Sequence, residues 1–299
     1  MTPNDRGPKR TISLPENFRL KDFLSFHGRD AQGVSEKIDA NSLSKGIVCL
    51  GFPARLRLKF ENEQVSIALD IDSPSPLDAS PMVETIVRYM MGITQDIQQF
   101  EDFYSSHPLI GTLVTRQRGL RVPQSSSPFE ALTWAIIGQQ ISLPAAIALR
   151  RRLIIASGIK HPSGLYCYPD AAGLSQMELR LLSEAGLSKS KANTLMTLAK
   201  LVESGEIPLE QWLTDKTPVS EITKALTSIK GIGPWTVSYT LLRGFGWLDG
   251  SLHGDAAVRR GIRRMTNADA ISESDAKQWL SAFSPYRALI AAHIWAGHS

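Results

Sequence analysis

The sequence predicts an α+β fold, in which a small antiparallel-sheet domain precedes an all-helical body. Strand-like alternation of apolar and polar residues is confined to the first hundred residues, and amphipathic helical spacing dominates from about Ile97 onward. Short segments rich in proline, glycine and serine separate the helical stretches. We therefore expect a disordered leader at residues 1–10, an α+β domain at 11–105, and a helical body at 106–299 with room for two helical subdomains.

Two stretches carry the strand pattern. Gly46 to Phe52 is a short apolar run, and Ala54 to Asp72 alternates apolar and polar residues on either side of Glu61-Asn62-Glu63. A polar triplet between two alternating runs is typical of a hairpin turn. A helical segment from about Ala79 to Met91 follows and completes the predicted domain.

Composition excludes several classes of protein. The 299 residues are 42% hydrophobic and 21% charged, which is typical of a globular protein. No run of 18 apolar residues and no secretory signal appears, so we expect a cytoplasmic protein with no membrane partner. Cys49 and Cys167 stand far apart, without the spacing of zinc or iron–sulfur ligands.

The chain carries a net charge of +4 and has an isoelectric point near 9.1. Acidic and basic residues nearly balance in the first hundred positions, and the basic excess lies in the remainder. This distribution favours a polyanionic partner for the helical body, although a solvated basic surface would look the same.

The most informative stretch runs from Thr227 to Tyr239. A helical pattern beginning near Val219 stops at Lys230-Gly231-Ile232-Gly233, and a second helix begins at Pro234, where a missing N–H costs no hydrogen bond. We predict a helical hairpin over residues 219–246. Its glycines permit a tight turn, and the N–H groups at the start of the second helix can bind an anion such as a DNA phosphate. A plain αα-hairpin would carry the same pattern.

Asp255 lies twenty residues after Trp235, at the start of another predicted helix. Taken alone, an aspartate at this place is an N-cap that binds free backbone N–H groups. Together, however, the Gly-x-Gly hairpin and the aspartate resemble the signature of the helix-hairpin-helix base-excision DNA glycosylases.

Within that superfamily the chain most resembles DNA-3-methyladenine glycosylase II. The resemblance covers nearly the whole chain beyond the leader and rests on several segments in the same order: F-E-A-L-T-W-A-I-I-G-Q-Q-I-S at 129–142, the hairpin, L-H-G-D at 252–255, and P-Y-R-A-L-I-A-A-H-I-W at 285–295. It implies that Asp255 is the catalytic carboxylate of a base-excision repair enzyme. The enzyme would flip alkylated bases of the 3-methyladenine and 7-methylguanine type out of double-stranded DNA, act as a monomer and require no cofactor.

One substitution within the hairpin bears on the mechanism. Bifunctional members of the superfamily carry a lysine two residues past the second glycine, and this chain has Trp235 there. Without that amine the Schiff-base route to strand cleavage is not available from this position. The resemblance therefore implies a monofunctional glycosylase.

The base pocket is expected to be aromatic, because an electron-poor base stacks well on electron-rich rings. Trp235 and Tyr239 lie one helical turn apart and can share a face. By resemblance, Tyr286 takes the place of the family's stacking tryptophan, and Phe23 and Phe26 are candidates from the N-terminal domain. Core packing is the alternative role for each, and we expect Trp134, Trp212, Trp279 and Trp295 to belong to the core.

The remaining site predictions concern DNA and a cation. Gln140 stands where the family carries an apolar wedge after Gly-Gln. The predicted DNA contacts are Gln139, Gln140, Lys230, Gly231, Ile232, Gly233 and Arg259, and Arg150 to Arg152 form a further basic cluster. By resemblance, the carbonyls of Thr227, Ile229 and Ile232 would bind a sodium or potassium ion.

Two other functions stay open at this point. The same fold could act on deaminated or oxidised bases, since aromatic residues alone do not select a lesion. A non-catalytic DNA-binding protein could also keep the hairpin.

Overall fold

The computed structural model describes residues 10–297. The predicted leader falls outside the described residues except for Arg10, which begins the first strand instead. Within the described part, the α+β fold is confirmed: five strands precede a long series of helices. The described helices include none that is both long enough and apolar enough to cross a membrane.

The strands form one antiparallel sheet in the order β1-β5-β4-β3-β2. They are β1 (Arg10–Ser13), β2 (Glu36–Asp39), β3 (Ser42–Cys49), β4 (Phe52–Glu61) and β5 (Gln64–Ile71). Alternate apolar residues of β4 and β5 are buried, as the sequence pattern requires. Helices α1 (Leu20–His27) and α2 (Ser80–Met90) pack against this sheet.

The turns of the sheet explain where the sequence prediction was right and where it was wrong. Asn62 and Glu63 both have positive φ, of 51° and 58°, and form the predicted hairpin turn between β4 and β5. The predicted strand from Gly46 to Phe52 is broken at Leu50 and Gly51, whose φ angles are 52° and 80°. These two residues make a second hairpin turn that apolar character alone did not reveal.

Thirteen further helices follow within the described residues. They are α3 (Gln98–Tyr104), α4 (Gly111–Arg116), α5 (Pro128–Gly138), α6 (Leu143–Ser157), α7 (Ala171–Ser175), α8 (Leu179–Glu184), α9 (Lys189–Glu203), α10 (Leu209–Thr214), α11 (Val219–Thr227), α12 (Pro234–Phe245), α13 (Ala256–Thr266), α14 (Glu273–Ser281) and α15 (Arg287–Ala296). Serine or aspartate side chains cap several N-termini, among them those of α5, α6, α9 and α13. Helix α5 is buried almost all round and packs along α12.

Buried apolar residues gather in three clusters. One lies between the sheet, α1 and α2. A second is built mainly from the helices between α5 and α12. The third joins α3 and α4 to α13, α14 and α15. Helix α3, which we assigned to the N-terminal domain, thus packs with the C-terminal helices. The domain boundary at residue 105 stays a prediction, because these clusters show where side chains pack and not which parts fold alone.

Four charged side chains connect the sheet to the helical body. Lys45 of β3 lies 2.6 Å from Glu36 of β2 and 2.8 Å from Glu130 of α5. Arg150 of α6 lies 2.6 Å and 2.7 Å from the same two carboxylates. We call these residues the buried quartet. Arg150 is therefore paired inside the protein, whereas the sequence suggested that its basic cluster could contact phosphate.

Candidate active site

The predicted hairpin lies between α11 and α12. Gly231 has a φ of +95°, and a Cβ there would lie 2.3 Å from Thr194 Oγ1, so both the backbone angle and the space require glycine. Ile232 is 4% exposed and fills the space between the two helices. The sequence pattern therefore identified the turn, and the structure adds that α9 supports it through Thr194.

Gln139, at the end of α5, holds the hairpin from the other side. Its Nε2 donates to the carbonyl of Gly231 at 2.9 Å and to Thr236 Oγ1 at 2.8 Å. Thr194 Oγ1 donates to the carbonyl of Lys230 at 3.0 Å. We predicted Gln139 as a DNA contact, but its amide nitrogen is committed to positioning the hairpin.

The outer face of the hairpin is open. A Cβ on Gly233 would meet no atom within 4 Å, and the side chain of Lys230 is exposed. Gly233 is the N-cap of α12 and supplies no side chain to bind the first N–H groups of that helix. Uncapped backbone N–H groups and one exposed amine thus lie within a few residues of each other in this turn, which suits an anionic partner.

Gly231→Ala is expected to weaken duplex DNA binding by about tenfold or more, because the methyl group must displace Thr194 and the backbone is strained at positive φ. Gly205→Ala is the matched control. Gly205 also has positive φ, +80°, but its Cβ would meet nothing within 4 Å. Fluorescence anisotropy with a labelled duplex measures both variants. Equal losses of affinity would show that general strain, not hairpin geometry, controls binding.

Asp255 is the N-cap of α13. Its Oδ1 accepts hydrogen bonds from the N–H groups of Ala257 at 2.9 Å and Val258 at 3.0 Å. Trp295 Nε1 donates to the same oxygen at 3.3 Å. Three donors on Oδ1 fix the orientation of the carboxylate, and no described residue donates a hydrogen bond to Oδ2. That oxygen can therefore accept a proton or stabilise a positive charge.

Aromatic rings lie around this carboxylate. The ring centres of Trp235 and Tyr239 are 5.4 Å apart, and those of Tyr239 and Trp295 are 6.4 Å apart. A Cβ on Gly254 would lie 3.9 Å from Trp235, so this ring sits against the backbone just before Asp255. The structure thus brings the hairpin helix and the aspartate together, as their spacing in the sequence suggested.

Trp134 supports this group from behind. Its Nε1 donates to the hydroxyl of Tyr239 at 2.8 Å. Tyr239 of α12 is 8% exposed, and this hydrogen bond holds its ring against α5. The sequence assigned Trp134 to the core, and the structure shows it both buried and bonded to a residue of the candidate pocket.

Tyr286 has a different environment from the predicted one. Its ring centre is 5.3 Å from that of Phe100 and 6.4 Å from that of Tyr104, and its hydroxyl donates to Gln99 Oε1 at 2.7 Å. These partners belong to α3, so Tyr286 joins α15 to that helix. Trp295, which we assigned to the core, bonds to Asp255 instead.

A signal for Trp295 was present in the sequence. It closes the segment at 285–295 that carries the family resemblance, and we matched the aromatic residue near the start of that segment instead. With two aromatic residues in one short segment, the sequence alone does not show which of them faces the site, because that depends on how the helix is oriented.

The two phenylalanines of the N-terminal domain have different roles. Phe23 is 1% exposed and packs against Phe18 and Phe60 in the sheet cluster, so the prediction that it lines the base pocket was wrong. Phe26 is half-buried and points the other way. The guanidinium of Arg243, on α12, lies 4.4 Å from its ring centre, which brings Phe26 beside the helical body.

The turn between α5 and α6 carries the predicted wedge. Gln140 is exposed, with a φ of 56°. Ile141 and Leu143 beside it are 37% and 54% exposed. Sequence reasoning missed these two apolar residues, which offer the surface for base stacking that a glutamine lacks.

Two other polar residues near Asp255 have partners within the protein. Arg259 Nη1 lies 3.0 Å from Glu273 Oε1, so the predicted DNA contact is held in an ion pair with α14. His253 Nδ1 forms a 2.9 Å hydrogen bond with Ser251 Oγ, and burial is the main cause that lowers its pKa. A neutral, bonded imidazole agrees with its predicted role in shaping the loop.

The three carbonyls predicted to bind a cation lie in the hairpin turn. That of Ile229 accepts the N–H of Ile232 at 3.1 Å and keeps a second lone pair. Among the described residues no backbone N–H outside the helices bonds to the carbonyl of Thr227 or Ile232. Free carbonyl oxygens are suitable ligands for sodium or potassium, so the donor set fits such an ion.

Comparison with known proteins finds DNA-3-methyladenine glycosylases among the similar sequences and structures. The chain is 26% identical over 295 residues to a DNA-3-methyladenine glycosylase of Bacillus subtilis (strain 168), which covers 94% of this chain and 96% of the relative. A 3-methyladenine DNA-glycosylase from Archaeoglobus fulgidus has a similar structure, with a TM-score of 0.78 and 22% identity over 95% of this chain and 96% of the other. No protein-family profile matches.

A second structural relative is an 8-oxoguanine glycosylase/lyase of Clostridium acetobutylicum in complex with double-stranded DNA. It has a TM-score of 0.71 and 16% identity, and the match covers 97% of each chain. At this level of identity the likeness shows the fold alone.

The sheet domain, the Gly-x-Gly hairpin and the aspartate among aromatic rings together define the class: this is the fold of a helix-hairpin-helix DNA glycosylase. Within that class, the chain is similar to DNA-3-methyladenine glycosylases over nearly its whole length.

Proposed function

We propose that the protein is a monofunctional glycosylase that removes alkylated bases, of the 3-methyladenine and 7-methylguanine type, from double-stranded DNA in base excision repair. The observation that carries this proposal is Asp255, which is oriented by Trp295 and lies beside Trp235 and Tyr239. We further propose that it acts as a monomer, as the family resemblance implies.

The carboxylate fits the chemistry of N-glycosidic hydrolysis. As the base departs, positive charge develops on the sugar, and a fixed negative charge beside it lowers the barrier. The Oδ2 of Asp255, to which no described residue donates, can also accept a proton from the attacking water. Alkylation at a ring nitrogen makes the base cationic and a good leaving group, so a single carboxylate suffices. The names of the relatives support this substrate class.

DNA binding is assigned to the hairpin and to the turn between α5 and α6. Phosphate contacts at the hairpin would be independent of sequence, as lesion search requires. Gln140 and Ile141 stand on an exposed turn tied to the hairpin through Gln139. Insertion of this turn into the duplex would fill the gap that a flipped base leaves.

The absence of lyase chemistry rests on Trp235. An indole cannot form a Schiff base, and the nearby Lys191 donates its Nζ to the carbonyls of Ile137 and Gln139 at 2.8 Å. We expect no covalent enzyme–DNA adduct when the reaction on methylated duplex DNA is treated with sodium borohydride and separated on a denaturing gel. A bifunctional glycosylase/lyase run alongside gives the positive control. A trapped adduct would refute the monofunctional assignment.

The main test is release of base from DNA treated with a methylating agent, measured by chromatography. Release of 3-methyladenine or 7-methylguanine supports the proposal. Release only from duplexes with deaminated or oxidised bases would keep the fold and change the substrate. Duplex binding without release of any base would indicate a non-catalytic DNA-binding protein.

A further inference from the structure

Helix α9 is bonded to both segments that we assign to DNA. Lys191 Nζ donates to the carbonyls of Ile137 and Gln139 at 2.8 Å, where α5 ends and the exposed turn between α5 and α6 (residues 139–142) begins. Three residues further along α9, Thr194 Oγ1 donates to the carbonyl of Lys230 in the hairpin at 3.0 Å. Residues three apart share a face of a helix, so one face of α9 holds the exposed turn and the hairpin together.

Gln139 closes a ring of hydrogen bonds between these segments. Its side chain donates to the carbonyl of Gly231 at 2.9 Å, and its own carbonyl accepts from Lys191. The bonds therefore run from α9 to the end of α5, from there to the hairpin, and through Thr194 back to α9. A shift of the exposed turn relative to the hairpin requires the loss of at least one of these bonds.

Lys191 is committed to this place. Its described hydrogen-bond partners are the two carbonyls at the end of α5, and no described carboxylate forms an ion pair with it. The side chain is half-buried, and this burial lowers the pKa of its amine. A cation bonded to the last carbonyls of a helix also interacts favourably with the negative end of the helix dipole. The ammonium group thus fixes the end of α5.

The exposed turn has few other bonds at its start. The carbonyl of Gln139 belongs to the peptide group that joins it to Gln140, whose φ of 56° lies in the left-handed region that residues other than glycine rarely adopt. No hydrogen bond joins the backbone of Gln140 or Ile141 to another described residue. A strained conformation of this kind persists only where neighbouring contacts fix it, and the bond from Lys191 is the contact directly before it.

We propose that Lys191 is a positioning residue for base flipping, which holds Gln140 and Ile141 in the orientation in which the exposed turn enters the duplex while the hairpin binds phosphate. This role rests on the function proposed above and needs no contact between Lys191 and DNA. Binding of phosphate by the hairpin does not require the turn. Removal of the amine should therefore leave binding to intact DNA in place and remove the additional affinity gained when the turn fills the gap of a missing base.

The test measures, by fluorescence anisotropy, binding to an undamaged duplex and to a duplex that carries a tetrahydrofuran analogue of an abasic site. For Lys191→Met, we expect the affinity for the undamaged duplex to stay within about twofold and that for the analogue duplex to fall about tenfold, the scale of hydrogen bonds from a charged group. A 2-aminopurine opposite the analogue reports insertion of the turn, and its change in fluorescence on binding should shrink in the variant.

Kinetics and two further variants separate positioning from a purely structural role. In single-turnover release of 3-methyladenine, Lys191→Met should lower the rate at saturating enzyme without changing the enzyme concentration that gives half of that rate. Lys191→Arg keeps a cation with several donors and should recover most of the preference for the analogue duplex. Lys200→Met is the matched control, because Lys200 is an exposed lysine in the last turn of the same helix, and it should behave as wild type.

The outcomes distinguish this inference from the proposed function. If Lys191→Met weakens binding to both duplexes equally, Lys191 supports the fold or the hairpin and the inference is wrong. If wild-type protein releases 3-methyladenine and Lys191→Met keeps the full preference for the analogue duplex, only the inference is overturned. If wild-type protein releases no base from methylated DNA, the proposed function fails and the inference fails with it. A selective loss of the preference that arginine reverses supports the inference.

Discussion

Asp255→Asn is expected to reduce base release by about a thousandfold or more while leaving duplex binding within about twofold of wild type, because it removes a fixed charge and a base but keeps the shape. The carboxylate oxygen that stabilises the sugar becomes part of a neutral amide. Single-turnover release of 3-methyladenine from methylated DNA measures the first effect, and fluorescence anisotropy with a labelled duplex measures the second.

Asparagine is the informative replacement because Asp255 has two roles. Its Oδ1 caps α13 by accepting N–H groups of Ala257 and Val258, and asparagine caps a helix about as well as aspartate. Asp255→Ala would in addition cost about 1 kcal/mol of stability through loss of the cap. With asparagine, a loss of activity can therefore be read as a loss of chemistry.

Asp170→Asn is the matched control. Asp170 is also an N-cap, of α7, and its Oδ1 accepts the N–H of Gly173 at 2.8 Å. The same substitution at this distant cap should leave both release and binding unchanged. Retention of wild-type release by Asp255→Asn would contradict the assignment of Asp255 as the catalytic carboxylate.

The sequence was sufficient for features that local rules determine. The turn at Gly231 requires positive φ, and the helix at Pro234 begins where proline is tolerated. Asp255 occupies the N-cap that its position before a helical segment predicted. The hairpin and the aspartate were therefore predictable, because backbone geometry within a few residues specifies each of them.

Contacts between distant segments were not predictable in the same way. Trp295 reaches Asp255 because α15 packs against α13, whereas Tyr286 at the start of α15 contacts Phe100 of α3. Both are aromatic residues in or beside one apolar helix, and periodicity does not say which of them faces the site.

The buried quartet shows most clearly that local sequence patterns do not predict contacts between distant segments. Glu36 and Glu130 are far apart in the chain, as are Lys45 and Arg150, and each alone looks like an ordinary surface charge. Their side chains are at most 10% exposed in the folded protein. No local pattern in a strand or a helix predicts that a charged residue there will be buried beside three other charged residues.

Lys45→Met is expected to destabilise the protein by about 3–5 kcal/mol at pH 7, because it leaves two buried carboxylates with a single cation. The loss is a large fraction of the stability of an ordinary domain. Urea unfolding followed by circular dichroism measures it. Lys59→Met is the matched control: Lys59 pairs with Glu61 on the exposed side of β4, and its loss should cost less than about 1 kcal/mol.

The pH dependence of the destabilisation by Lys45→Met shows whether the quartet acts through its charges or through its packing. Burial alone would raise the pKa of Glu36, but Arg150 and Lys45 outweigh it and lower the pKa from 4.5 to about 2. A carboxylate with a lowered folded-state pKa stabilises the protein above its unfolded pKa, and this contribution is lost as the pH falls from about 4.5 toward 2. In Lys45→Met a carboxyl can take up a proton more readily, so the difference from wild type should narrow between pH 7 and pH 4.

Adding Glu36→Gln to Lys45→Met gives a second test of whether charge balance stabilises the quartet. Lys45→Met combined with Glu36→Gln leaves Arg150 opposite Glu130 alone, one charge of each sign. The double variant should therefore recover part of the stability that Lys45→Met loses at pH 7. If Lys45→Met lowers the free energy of unfolding equally at pH 7 and pH 4, and Glu36→Gln adds to that loss, the quartet acts through the shape of its side chains. If instead charge balance governs it, the sheet is held to α5 and α6 by four groups that are stable together and costly when any one is removed.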